Sequence, residues 1–343
     1  MTLQQLRFLL GVVDNGLNIT AAAERLFASQ PGISKQLKQL EQELGVQLFT
    51  RHGKALSALT PSGEQIVARA RRIMSEVENI RTLADETTGE QTGTLSIATT
   101  HTQARYVLPD VIKAFRARYP DVNLELHQGT SEQIAELVDA NRVDVAIATG
   151  SQHLFPGMTI LPCFHWRRIA LVPEDHELAT EKKGFDLSRL ASYPLVTYVF
   201  AASGESSFKK AFEQQGLEPD VVFTARDADV IKTYVRVGLG VGVIAPMAFE
   251  CNDHNDLVAL DLGDLFPQLT TWLGFRRDAV VRTYMADFAA LVAPHLTARL
   301  IRQAHELENQ SDVDQLLQNL ELPERFGCVD GVVKFDAPVV VDP

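Results

Sequence analysis

Pro31, Ser34, Lys35 and Lys38 recur at spacings of 3, 1 and 3, which gathers them on one side of a helix, with Ser29 and Gln30 just ahead of it. Ile33, Leu37, Leu40 and Leu44, spaced 4, 3 and 4, fall on the other side. Glutamine can pair with adenine, serine with several base edges, and lysine with guanine or phosphate, so such a face can read DNA. A small helical bundle with a solvated Lys/Gln face has the same period. A second group, Thr99-Thr100-His101-Thr102-Gln103, puts hydroxyls and an amide at the start of a helix. Backbone N–H groups and the helix dipole make that place receptive to an anion or a small polar acid, and plain capping by threonine fits equally well. Thr149 ends another strand of the same lobe, and Ser203-Gly204-Glu205-Ser206 takes the matching strand-to-helix position of a second lobe.

Enzymatic patterns are absent where they would be sought. Cys163, Cys251 and Cys328 form no metal-spacing cluster, and Cys163 with His165 supplies only two residues on one strand face. His176-Glu177 lacks the second histidine of a zinc-hydrolase helix, and Gly204 with Ser206 makes no nucleophile elbow. Gly238-Leu239-Gly240-Val241-Gly242 follows a helix rather than opening one, unlike a dinucleotide loop. The expectation is a chain with no catalytic residue, no metal and no resident cofactor.

The elements that must hold these groups follow from period and punctuation. The chain has 343 residues, 45% hydrophobic and 22% charged, a globular balance long enough for two or three cores. No stretch reads as a membrane span or a signal peptide, and an odd, widely spaced cysteine count argues against a disulfide framework, so a cytoplasmic setting is expected. The net charge of -12 is uneven: residues 1–88 hold 10 basic and 9 acidic side chains. An apolar helix through Leu3–Val13 is followed by Gly16, then a helix from Thr20 to Phe27 with Asn18 or Thr20 as cap, a short turn, and the third helix that Gly45 ends. Arg51 and Lys54 sit near the tip of a short hairpin, where a basic wing would reach phosphate. From Pro61, Ile66, Ala70, Ile73, Val77, Ile80 and Ala84 form a heptad seam, which suits a dimer. Beyond a hinge at 87–93, strands and helices alternate, which predicts two α/β lobes with parallel sheets around a ligand cleft.

Ala22-Ala23-Glu24-Arg25-Leu26, Ser29-Gln30-Pro31-Gly32-Ile33-Ser34, Leu44-Gly45-Val46-Gln47-Leu48-Phe49 and Leu59-Thr60-Pro61-Ser62-Gly63 resemble the winged helix-turn-helix of LysR-type transcriptional regulators. The run 98–106 with Leu108-Pro109, Leu161-Pro162-Cys163-Phe164-His165-Trp166 and Asp227–Arg236 is similar to the CysB/Cbl branch of that family, whose members regulate sulfur assimilation and cysteine synthesis. The resemblance implies an effector site of Thr100, Thr102, Gln103 and Thr149, with His101 beside them and Ser203 keeping a hydroxyl where the branch has threonine. The implied effector is sulfate, O-acetylserine or N-acetylserine. Glu205 stands where the branch has arginine, and like-charge repulsion there would disfavour a dianion, leaving a zwitterionic or uncharged ligand open.

The expected organisation is α/β and multidomain. A winged helix-turn-helix (1–60) carries Ser29, Gln30, Pro31, Ser34, Lys35, Lys38, Arg51 and Lys54 toward double-stranded DNA. A long linker helix (61–88) makes the dimer. A two-lobed α/β effector domain of periplasmic-binding-protein type follows (89–302; lobe I about 93–162 and 269–300, lobe II about 163–268). The family implies a homotetramer, with RNA polymerase as a further partner. Residues 303–343, with nine acidic and two basic residues, read as a solvated tail holding one short helix around Val313–Leu320. A solute-binding protein also has two lobes around a cleft, but the helix-turn-helix argues against it.

Overall fold

The computed structural model describes all residues except 54, 89–90, 181–185, 203–205, 330–331 and 336–343. Lys54, Ser203 and Glu205 thus lie outside the described residues. The chain divides into two units, Met1–Glu90 with Asp278–Val280, and Gln91–Arg277 with Val281–Pro343.

In the first unit, α1 (Leu3–Asp14), α2 (Ile19–Arg25) and α3 (Gln30–Leu44) precede a hairpin of β1 (Phe49–His52) and β2 (Ala55–Leu59), and α4 (Pro61–Thr88) follows. Each start has a chemical cause. Thr2 makes a capping box with Gln5, the Asn18 side chain accepts from the N–H groups of Thr20 and Ala21, and Ser29 accepts from Gly32. Gly45 ends α3 in the left-handed region at φ 71°, where a side chain would be strained. Leu6, Leu9, Val12, Ile33, Leu37, Leu40, Leu48, Phe49, Val67 and Ala70 make one core. Leu44, expected among them, is 36% exposed because the helix outruns the core by one turn.

Helix α4 is split in its loyalties. Val67 and Ala70 are buried in the unit's own core, whereas Ile73, Ile80 and Leu83 are 37%, 68% and 56% exposed. The heptad seam is therefore open to a partner only in the second half of the helix.

The second unit holds two lobes. Lobe I contains β3 (Gly93–Thr99), α5 (His101–Tyr106), α6 (Leu108–Arg118), β4 (Val122–Gln128), α7 (Ser131–Asp139), β5 (Val145–Thr149) and β6 (Met158–Trp166). Lobe II contains β7 (Ile169–Pro173), α8 (Leu187–Ala191), β8 (Leu195–Tyr198), α9 (Ser207–Gln214), β9 (Val221–Ala225), α10 (Ala228–Arg236), β10 (Val241–Ile244) and β11 (Leu257–Asp261). The chain then returns to lobe I through β12 (Leu269–Arg276) and α11 (Thr283–Val292). The sheet orders are β4-β3-β5-β12-β6 and β11-β7-β10-β8-β9. Both sheets are mixed, which corrects the expectation of parallel ones: β12 runs antiparallel to β5 and β6, and β7 antiparallel to β10 and β11. Returning strands enter from the opposite end, so the βαβ pattern read locally does not extend to them. Thr130 caps α7, in a capping box with Gln133.

The tail is also corrected. Helices α12 (Ala298–His305) and α13 (Gln310–Leu317) bury Ile301, Ala304, Val313 and Leu317 in the lobe I core. The Gln310 side chain bonds both the N–H and the C=O of Ile160 on edge strand β6, and His165 N–H donates to Pro323. Strands β13 (Arg325–Val329) and β14 (Val332–Phe335) then form a hairpin in place of a solvated end. Capping an exposed strand edge removes unpaired backbone groups, which explains why an acidic segment docks instead of dissolving. Cys163 is a free thiol in the lobe I core, where burial pushes it up to about 12. Cys251 is disulfide-bonded, so the expectation drawn from the cysteine count does not hold for that residue.

Glu41 is the least expected member of the first unit. It is 5% exposed on α3, and its Oε1 accepts the N–H groups of Leu48 at 2.9 Å and Phe49 at 3.4 Å. Glu41→Ala leaves two buried donors unpaired and should lower stability by about 2 kcal/mol or more in urea unfolding of the full chain. A midpoint equal to that of the wild type would mean that the carboxylate does not hold the hairpin.

Candidate functional site

On α3, Gln30, Pro31, Lys35 and Lys38 are exposed and Ser34 is half-buried, with Gln30 Nε2 donating to Ser34 Oγ at 3.2 Å. Ser29 is exposed too, its hydroxyl engaged as the N-cap. The polar face is thus free of the core and follows a tight turn after α2. Arg51 is placed differently from expectation. Its Nη2 lies 3.3 Å from Glu41 Oε2, so the guanidinium braces the hairpin against α3 as well as facing outward.

Of the residues expected to hold an effector, Thr100, His101, Thr102, Gln103 and Thr149 lie in lobe I. Helix α5 begins at His101, so Thr102 and Gln103 sit on its first turn. Thr100 occupies the N-cap position without a side-chain capping bond, which leaves its hydroxyl for other partners. The N–H groups of a first helical turn have no intrahelical acceptor. Thr102 and Gln103 are buried, and Thr100, His101 and Thr149 are half-buried.

Register brings in a residue that no local pattern marks. Strand β12 pairs Thr271 with Thr149, and Thr271 is fully buried. Its Oγ1 accepts from Trp166 Nε1 at 3.1 Å and from Gln103 Nε2 at 3.3 Å. Two acceptances fill the lone pairs of a hydroxyl, so Thr271 must donate its own proton to Thr149 Oγ1, 2.8 Å away. Thr149 then keeps its proton for another acceptor. Gln103 Oε1 and His101 Nδ1 are buried with no partner in the described residues. The cluster therefore offers a hydroxyl donor beside an unsatisfied amide acceptor, a combination suited to a small polar molecule.

Lobe II closes over this cluster through aromatic and charged groups. Tyr198, at the end of β8, approaches the Thr102 hydroxyl and accepts the Ala245 N–H at 3.3 Å; burial pushes its phenol up. Tyr106 on α5 donates to Asp229 Oδ1 on α10 at 2.8 Å, and Arg105 lies 3.5 Å from Asp229 and 3.6 Å from Glu250. Buried Lys232 backs this clamp, 2.8 Å from Asp253 and 3.5 Å from Asp229. Burial pushes the Asp229 carboxyl up, but the Tyr106 hydrogen bond and the Lys232 and Arg105 charges outweigh it and hold the group below the usual carboxylate range. Among the described residues, no group of three or more His, Cys, Asp or Glu could hold a metal ion, and no helix is long and apolar enough to cross a membrane.

A carboxylate with a depressed folded pKa stabilises above its unfolded value and loses that contribution as pH falls through the folded one. Asp229→Asn should therefore lower the thermal midpoint at neutral pH, and the gap from wild type should close as pH drops below about 4. A gap that stays constant over that range would show that the ionised clamp contributes nothing.

Comparison with known proteins agrees with this architecture. Residues 3–64 match the model of the bacterial regulatory helix-turn-helix protein, lysR family, and residues 88–297 match the LysR substrate binding domain. The HTH-type transcriptional regulator CysB of Haemophilus influenzae is 44% identical over 322 residues, covering 94% of this chain and 99% of that protein. The HTH-type transcriptional regulator cbl of Escherichia coli is 40% identical over 314 residues, covering 92% and 99%. The crystal structure of the cofactor-binding domain of the Cbl transcriptional regulator superposes with a TM-score of 0.58 at 42% identity, over 63% of this chain and 95% of that one.

Proposed function

Because the chain belongs to the LysR family of transcriptional regulators, we propose that it controls genes of sulfur assimilation and cysteine synthesis in response to sulfate, O-acetylserine or N-acetylserine. The observation that carries the ligand half is the hydroxyl and amide cluster of Thr100, Thr102, Gln103 and Thr149 around the buried Thr271 hydroxyl. Ser203 and His101 join this site in the same reading. Similarity to CysB and cbl regulators over nearly their whole length supports the sulfur branch.

Ser29, Gln30, Pro31, Ser34, Lys35 and Lys38 read the operator, with Arg51 and Lys54 of the hairpin on the backbone. Ile73, Ile80 and Leu83 on the free half of α4 pair two copies, so that two recognition helices meet two half-sites. A dimer of such dimers gives the tetramer, and RNA polymerase is its partner at the promoter. The chain is no enzyme in this reading, and it works in the cytoplasm, where its DNA is. Ligand binding favours one arrangement of the two lobes and so biases the spacing of the recognition helices.

Lys35→Ala should weaken operator binding and reduce the salt slope by about 1 while leaving ligand affinity alone. Operator affinity equal to wild type in a gel-retardation titration would exclude Lys35 from the DNA face. Calorimetric titration with sulfate, O-acetylserine and N-acetylserine should give saturable heat with at least one, and Thr102→Ala should abolish it without altering DNA binding. Silence of the folded wild-type chain toward all three would assign the cleft to another ligand.

A further inference from the structure

Arg168 stands where the chain crosses from β6 into β7, and it is 7% exposed. Its Nη2 donates to Ser207 Oγ at 2.9 Å, at the first residue of α9. The Phe266 ring, in the second crossing between the lobes, lies 5.4 Å from its Cζ. Its Nη1 is buried and has no hydrogen-bond partner, and no carboxylate forms an ion pair with Arg168 among the described residues. Burial brings the guanidinium down to about 10, against the opposing influence of Tyr198. A buried cation without a counter-ion is costly, and proteins ordinarily pair or neutralise such groups. The neighbouring Arg167 is satisfied twice over, by Asp264 of the second crossing and by Glu324 of the tail, 3.3 Å away. The two successive arginines thus differ in one respect: one is paired within the protein and the other is held open.

Arg168 sits at the junction of the two lobes. Tyr198, within the field of Arg168, meets Thr102 of lobe I, and Ser207 opens a helix whose first N–H groups carry the positive end of the dipole. On lobe I, Gln103 Oε1 is likewise a buried acceptor without a partner among the described residues. A ligand that presents an anion to lobe II and an N–H or O–H donor to lobe I would give each of these atoms a partner.

We propose that Arg168, with the N-terminal turn of α9, is the anion-binding subsite of the cleft, taking the carboxylate of a small acid whose donor end rests on Gln103. The inference builds on the assignment of the cleft as the effector site. An inorganic oxyanion without a donor satisfies only Arg168; an acylated hydroxy-amino acid satisfies both ends. Because Arg168 lies in one lobe crossing and stacks on the other, neutralising it alters the hinge itself, which connects binding to lobe arrangement.

The test uses the full chain, calorimetric titration, and two probes, N-acetylserine and its uncharged carboxamide, N-acetylserinamide. Wild type should bind the carboxylate about 10- to 100-fold more tightly than the carboxamide, the range expected for one desolvated charge-assisted contact. Arg168→Gln should remove that preference by weakening the carboxylate and sparing the carboxamide, and Arg168→Lys should restore part of it. Thr149→Val should weaken both probes alike. Wild-type affinities equal for the two probes overturn the subsite, and this arm needs no variant to fold. Full carboxylate preference in Arg168→Gln, with Thr149→Val defective, overturns Arg168 while the cleft stands. Failure of wild type to bind either probe overturns the subsite and, with saturable heat from sulfate or O-acetylserine, leaves the cleft assignment standing; silence toward these as well assigns the cleft to another ligand.

Discussion

A hydroxyl can accept two hydrogen bonds and donate one, and at Thr271 all three are used. Trp166 and Gln103 donate into it, and Thr149 takes its proton. That saturation sets the polarity of the cluster, because Thr149 is left with a proton to donate and Gln103 with an acceptor. It also constrains the fold. Thr271 can reach these partners only because β12 comes back from lobe II and enters the lobe I sheet between β5 and β6. The crossing that makes a two-lobed domain is thus the same feature that wires its binding site.

The second constraint is the pair of crossings between the lobes. Arg167 and Arg168 occupy the first, and Asp264 and Phe266 the second. The tail adds a third tie, since Glu324 pairs with Arg167 and the Arg325 guanidinium sits 4.3 Å over the Phe164 ring. The Tyr106–Asp229 bond and the ion pairs of Arg105 with Asp229 and Glu250 join the lobes again. Beside the apolar contact that Ala245 and Met247 of lobe II make with the lobe I core, lobe movement therefore acts on polar contacts at defined places. Such contacts can exchange at modest cost, which suits a domain that reports occupancy by changing its arrangement.

In the DNA-binding unit the same economy appears on a smaller scale. Buried Glu41 accepts two backbone donors at the entry to the hairpin and holds Arg51 on its other oxygen. The wing is thereby fixed to the helix whose outer face bears Lys35 and Lys38. A basic residue in a hairpin was legible as a phosphate contact. Its second task, bracing the hairpin, required knowing that Glu41 lies ten positions earlier but in the same corner.

Periodicity and capping chemistry are local, and they determined much here. The third helix, its Gly45 end, its exposed polar face, the heptad spacing of α4 and the alternation of strands and helices all depend on residues within a few positions of one another. Thr100, Thr102, Gln103 and Thr149 were legible because they end strands or open a helix, which is where cleft residues of α/β lobes collect. Tertiary structure alone decided the antiparallel return of β12, and with it Thr271, the docking of α13 and the edge of β6, and the isolation of Arg168. The first two arise from strand register and edge pairing between segments about a hundred or more residues apart, as with Thr149 and Thr271, and the setting of Arg168 from the packing of the two lobe crossings. Register has no signature in either segment by itself: the hydrogen bonds that fix it belong to the pair.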